Sequence, residues 1–283
     1  MRIVGHIVAG ALLALSLNCY SQGGVVCDSI TKAPLPFVTI SQNGRGFYSD
    51  EAGRFTIRDA SKPLHFYALG YKELGNYTLK GSNDTIRLQP EVINLDEVIV
   101  EGRRRKKPEL IGLSKQKKAL SFACMPGLEI AVFIANPLKK EALIHSIDLP
   151  VRVRTVSQVA VRLHLYAKDI ETGEPGVELT HQNIIVPIAK KSDGDIIINV
   201  ADYGFELPEQ GIFAGIEWLG YYDAATGISG MDDGFATEVE MHESDSALTY
   251  TRNRLGTYPW TNISEKLVPG GKFNASIGMK IFP

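Results

Sequence analysis

"GRGFYSDEAGRFTIRD", residues 44–59, decides how this chain folds. It crowds glycines, carboxylates and arginines into one segment, which suits a cation loop, a phosphate cradle or a hairpin turn. A calcium site needs about six to eight oxygens converging on one point. Asp50 and Glu51 are adjacent, their side chains diverge, and no third ligand follows at a useful spacing. A phosphate loop needs a strand-to-helix junction and a Lys-Ser/Thr pair, and neither is present. A turn accounts for what remains. Asp50 suits the first position and Gly53 the fourth, where glycine adopts positive φ without a side-chain clash. The stretch is read as a hairpin.

Working outward, residues 22–101 read as short strands with period-two alternation between turns. Val38 and Ile40 alternate in "PFVTIS", and Ile86 and Leu88 in "DTIRL". Phe55 and Ile57 share one face of "GRFTIR", with Arg54, Thr56 and Arg58 on the other. No sustained helical stripe interrupts the pattern, and about seven strands fit, as in an antiparallel sandwich.

The elements Gly24-Val25-Val26 with Asp28, Leu35-Pro36-Phe37-Val38, Asp50 with Gly53 and Phe55, and Gly70-Tyr71 resemble the carboxypeptidase regulatory-like domain. The resemblance implies a small transthyretin-like β-sandwich common in cell-envelope proteins of Gram-negative bacteria. It implies an accessory module without catalytic residues of its own. "INLDEVIVEG", residues 93–102, resembles the segment that follows this module in TonB-dependent outer-membrane receptors. Such a receptor needs a barrel of about twenty strands, too large for the residues that remain. A last strand or linker is therefore favoured over a TonB contact, with strand addition to an exposed edge as the alternative.

Residues 1–21 read as a secretory signal: Arg2, an apolar run from Ile7 to Leu17, and small residues before Gln22. Cys19 opens lipoprotein processing as an alternative, although Asn18 is not the small residue a lipobox wants. No other apolar run approaches the length of a membrane-spanning helix. Cys27 and Cys124, the two cysteines after cleavage, make no disulfide framework.

Residues 102–118 form a basic linker with eight Lys/Arg against Glu109, so this stretch carries +7 in a chain of net charge −2. Like charges repel and stay solvated. A flexible connection is the plain reading. Contact of Arg103, Arg104, Arg105, Lys106 and Lys107 with anionic lipid phosphates is the functional one. An exported chain without interleaved aromatics is not expected to bind nucleic acid.

Residues 119–283 return to strands, read as a larger jelly-roll-like sandwich, so the fold class is all-β. In "VAVRLHLYAKD", Val159, Val161, Leu163 and Leu165 take one face, and Ala160, Arg162, His164 and Tyr166 the other. "KFNASIGMKIF" reads as one last alternating strand. His242-Glu243 lacks the second histidine of a zinc-protease helix, and "GISG" is one residue short of a nucleophile elbow. His164 reads as a packed or surface residue. Asp223, Asp232, Asp233, Glu238 and Glu240 read as a solvated acidic region. No catalytic residue, metal site or cofactor is expected.

Tyr221, Tyr222, Tyr258 and Trp260 are the candidate ligand-binding residues, since aromatic faces near loop tips stack on sugars or anchor proteins. Trp218, in the run "GIFAGIEWLG", is expected to point inward. The chain thus reads as an exported, non-enzymatic protein of the periplasm or outer-membrane surface, a binding or structural module for an envelope protein or glycan. The alternatives are a carbohydrate-binding accessory protein using the loop aromatics, and a hydrolase whose site is not visible as a motif.

Overall fold

A computed structural model describes residues 22–91, 107–112, 119–153, 158–189, 193–223, 227–229, 237–256, 258–267 and 271–283. The predicted signal segment, most of the basic run and residues 93–102 lie outside them. Strands dominate. The first seven are β1 (Gln22–Asp28), β2 (Thr39–Gln42), β3 (Arg45–Tyr48), β4 (Arg54–Ile57), β5 (Leu64–Tyr67), β6 (Leu74–Tyr77) and β7 (Asn83–Leu88). They form a three-stranded sheet β4-β1-β7 and a four-stranded sheet β3-β2-β5-β6. Between them lies a core of residues such as Val26, Val38, Ile40, Phe55, Phe66, Ile86 and Leu88. Phe55 and Ile57 point into it while Arg54 and Thr56 stay exposed.

The turn at 50–53 is not the expected hairpin, because β3 and β4 on either side of it belong to different sheets and the chain crosses from one to the other there. The turn chemistry itself holds. Asp50 Oδ1 accepts hydrogen bonds from the backbone N–H of Ala52 (2.9 Å) and Arg54 (2.7 Å). The N–H of Gly53 closes the turn onto the Asp50 carbonyl at 3.0 Å. Gly53 has φ of 69°. A Cβ there would sit 2.5 Å from the Val26 carbonyl oxygen, so both the conformation and the space require glycine.

The second sandwich begins earlier than its patterning suggests. Its strands are β8 (Glu109–Gly112), β9 (Leu120–Cys124), β10 (Leu128–Ile134), β11 (Ala142–Val153), β12 (Gln158–Lys168), β13 (Pro175–Glu178), β14 (Ile185–Ile188) and β15 (Asp193–Asn199). There follow β16 (Glu206–Leu207), β17 (Ile212–Asp223), β18 (Gly227–Ser229), β19 (Thr237–Glu243), β20 (Thr249–Asn253), β21 (Thr261–Asn262), β22 (Phe273–Ala275) and β23 (Gly278–Phe282). One eight-stranded sheet runs β13-β12-β17-β10-β20-β21, with β14 beside β12 and β18 beside β17. The other runs β22-β19-β11-β23-β8, with β15 and β16 beside β11 and β9 beside β19.

Residues 109–112, inside the predicted linker, are a strand: Ile111 lies opposite Met279 on β23 and packs on the second core. A two-residue apolar pair is too short to reveal a strand by alternation. "KFNASIGMKIF" is two strands rather than one, because the chain breaks at Ser276-Ile277 between β22 and β23. Ala275, Ile277, Met279 and Ile281 nevertheless all reach the same core. Trp218 is buried there as well. Among the described residues no helix is long and apolar enough to cross a membrane.

The two sandwiches are not beads on a string. The sheet containing β2, β3 and β5 lies against the outer face of β12 and β17. There the Tyr48 hydroxyl reaches Glu217, the Tyr67 hydroxyl reaches Glu178, and the Phe37 carbonyl accepts from Arg162. Eight successive residues of β12, Val159 to Tyr166, are therefore buried on both faces.

Candidate functional site

The face between the sandwiches holds a cluster of ionisable side chains. Strand alternation aims Arg162, His164 and Tyr166 of β12 at the first sandwich, and brings Glu129 of β10 and Glu217 of β17 to the same surface. Glu178, at the end of β13, Arg252, near the end of β20, and Arg254, just past it, close the sides. Glu217 lies in the middle. It accepts from Tyr48 Oη (2.6 Å), Arg162 Nη1 (3.1 Å) and His164 Nε2 (2.9 Å). Glu178 takes His164 Nδ1, Tyr67 Oη (2.8 Å) and Arg254 Nη2 (3.0 Å). Glu129 is held by Arg252 Nε (2.8 Å), Arg254 Nε (2.7 Å) and the Tyr166 hydroxyl.

Electrostatics follow from that geometry. Burial is the largest influence on each carboxyl and opposes its ionisation. It is overcome for Glu217 chiefly by Arg162 and His164, for Glu178 by His164 and Arg254, and for Glu129 by Arg254, His164 and Arg252. All three stay below the ordinary glutamate range. Burial likewise disfavours the His164 cation, but Glu129 and Glu178 outweigh it and the pKa rises, even against nearby Arg254. Both ring nitrogens face carboxylates, the arrangement an imidazolium satisfies by donating from each. Desolvating so many charges costs several kcal/mol per ion, and only complete pairing offsets it. The cluster can hold protons and clamp two surfaces.

The predicted site residues fall elsewhere. Arg103, Arg104, Arg105 and Lys106 lie outside the described residues, and Lys107 is exposed. Tyr221 is half-buried against the second core, and the Tyr222 side chain is not described. Tyr258 is 65% exposed. Trp260 is half-buried: its ring meets Tyr166 edge-on with centroids 5.5 Å apart, and the Arg252 guanidinium lies 4.1 Å from its centroid. The ring therefore supports the cluster rather than standing free on a loop. Alternation had put Arg162, His164 and Tyr166 on one face, but a polar strand face reads as a solvent face until something is seen to cover it. Among the described residues no three His, Cys, Asp or Glu side chains group as a metal site.

Residues 23–100 match the family described as CarboxypepD_reg-like domain. The match covers the first sandwich and stops before the second. No curated protein matches the chain. Among solved structures, that of infectious bursal disease virus Gx strain aligns over 87% of this chain and 61% of its own, at 10% identity and a TM-score of 0.27. The Gt strain structure aligns over 87% and 63%, at 11% identity and a TM-score of 0.25. This chain spans less than two thirds of either viral chain, and overlaps this loose carry no argument.

Proposed function

We propose that this is an exported, non-enzymatic protein of the Gram-negative cell envelope, acting at the periplasm or outer-membrane surface as a binding or structural module. The observation that carries the binding-or-structural part of this reading is the clamp between the sandwiches. Glu129, Glu178 and Glu217 are each committed to arginine, histidine or tyrosine partners, and Tyr48 and Tyr67 tie that cluster to the regulatory-like module. A general acid or base must reach a proton on substrate. Glu217 and Glu178 reach across a domain interface instead, and Glu129 braces the arginines beside them. Such a clamp makes one rigid body of two sandwiches, and rigid scaffolds present loops and clefts to partners.

Export is tested by N-terminal sequencing of the protein from fractionated cells. The envelope fraction should yield a chain starting at or near Gln22. A lipid-modified start at Cys19 would make it an anchored lipoprotein within the same reading, whereas an intact Met1 in the cytosol would end it.

A further inference from the structure

Beside the clamp, where the two sandwiches part, lies an open cleft of about 180 Å³. Thr39, Ser41 and His65 line it from the first sandwich, and Arg252, Arg254 and Tyr258 from the second. Sites for drug-sized ligands run to about 300–1,000 Å³. This one has room for a single pyranose ring.

Its polar groups are incompletely used. Arg252 spends Nε on Glu129 and Nη2 on Tyr166, and Arg254 spends Nε on Glu129 and Nη2 on Glu178 and Tyr166. The Nη1 amine of each has no hydrogen-bond partner among the described residues. Thr39 is buried to 4% exposure, and its hydroxyl has no partner among the described residues. A buried hydroxyl left unpaired is costly, and a ligand oxygen would relieve it. The charge around the cleft is close to balanced: the carboxylates of Glu129, Glu178, Glu217 and Glu73 are matched by the Arg162, Arg252 and Arg254 guanidiniums and by the His164 ring that contacts two of those carboxylates. An anion is favoured there by the position of the guanidiniums rather than by a net positive charge.

The mouth differs from the floor. Tyr258 is the most exposed tyrosine there and offers a ring face to an apolar C–H surface. Glu73 also lines the cleft, with a carboxylate oxygen 3.5 Å from His65 Nε2 and most of its side chain in solvent. That carboxylate would repel a bare anion, but it accepts hydrogen bonds from hydroxyls.

We propose that this cleft binds a uronate: an acidic pyranose whose carboxylate meets the free amines of Arg252 and Arg254, whose hydroxyls meet Thr39 and Glu73, and whose ring lies on Tyr258. The inference rests on the binding-module reading. Its test needs only purified protein, so it succeeds or fails whatever the location of the chain turns out to be.

The experiment is a calorimetric titration of the mature protein with glucuronate and galacturonate, using glucose and acetate as controls at constant ionic strength. At least one uronate should bind saturably, with glucose and acetate weaker by at least about tenfold, the scale of one charge-assisted hydrogen bond. Tyr258→Ala and Thr39→Val should each weaken uronate binding severalfold while the melting curve keeps its cooperativity. Arg252→Lys should weaken it more if the variant folds; the other two variants decide the matter if it does not. No saturable signal with either uronate would overturn the proposal. So would acetate binding as tightly as the uronates, which would make this an adventitious anion site, or uronate affinity unchanged in both Tyr258→Ala and Thr39→Val.

Discussion

Tyr48, on the first sandwich, donates its hydroxyl to Glu217 of the second at 2.6 Å, although 169 residues separate them in sequence. The same tyrosine ring has the Arg162 guanidinium 5.7 Å from its centroid, so one side chain touches both halves of the buried Arg162–Glu217 pair. Burial, followed by the negative charge of Glu217, pushes its phenol well above the usual range and keeps it a donor.

Tyr48→Phe should therefore destabilise the protein by about 1–3 kcal/mol, the cost of leaving a buried acceptor short of a donor. Urea unfolding measures it. Combined with Glu217→Gln in a double-mutant cycle, the pair should show a coupling of about 0.5–3 kcal/mol. Additive effects would mean that the hydroxyl does not sense the carboxylate.

The pH profile has a definite sign. The His164 pKa is raised by folding, so its contribution is complete below the unfolded value of about 6.5. That contribution is lost as pH rises through the higher folded value. Glu178 and Glu217 are lowered, so theirs is present above an unfolded value of about 4.3 and is lost as pH falls below it. Thermal melts should decline on both the acid and alkaline sides, and His164→Gln should flatten the alkaline decline. An unchanged alkaline limb in that variant would remove His164 from the account.

At the inter-sheet turn, Gly53→Val forces a β-branched residue into a left-handed backbone and a Cβ toward the Val26 carbonyl. A loss of roughly 2–4 kcal/mol is expected by chemical denaturation, several times that of an ordinary surface change. Asp50→Asn keeps an acceptor oxygen for the N–H groups of Ala52 and Arg54 and should cost about 1 kcal/mol or less. Calcium-dependent stabilisation that disappears in Asp50→Asn would reinstate a cation loop.

Docking can be probed without touching a charge. Gly70 has φ of 77°, and a Cβ added there would lie 2.7 Å from the His181 carbonyl oxygen on the second sandwich. Gly70→Ala should loosen the interface while sparing both cores. Small-angle scattering should show a more extended particle, and tryptic cleavage near Lys107 should yield fragments that separate on gel filtration without denaturant. Wild-type fragments should stay together. Co-elution of the variant's fragments would show that the clamp tolerates the intrusion.

The sequence by itself determined the local architecture. Period-two alternation made Phe55, Ile57, Ile86 and Leu88 core residues, and it pointed Trp218 inward. Asp50 and Gly53 specified a turn because their demands on backbone and hydrogen bonds are local. The family of residues 23–100 was legible for the same reason, since its motifs mark turns and strand starts. Alternation also put Arg162, His164 and Tyr166 on one face, but a face is only a direction. What covers it depends on contacts such as Tyr48 with Glu217 and Tyr67 with Glu178, which no short window of sequence contains. Tertiary structure alone decided that this polar face is buried and that Trp260 leans on Tyr166. It also decided that Glu109–Gly112 is an edge strand, because four residues carry too little pattern until β23 supplies the hydrogen bonds.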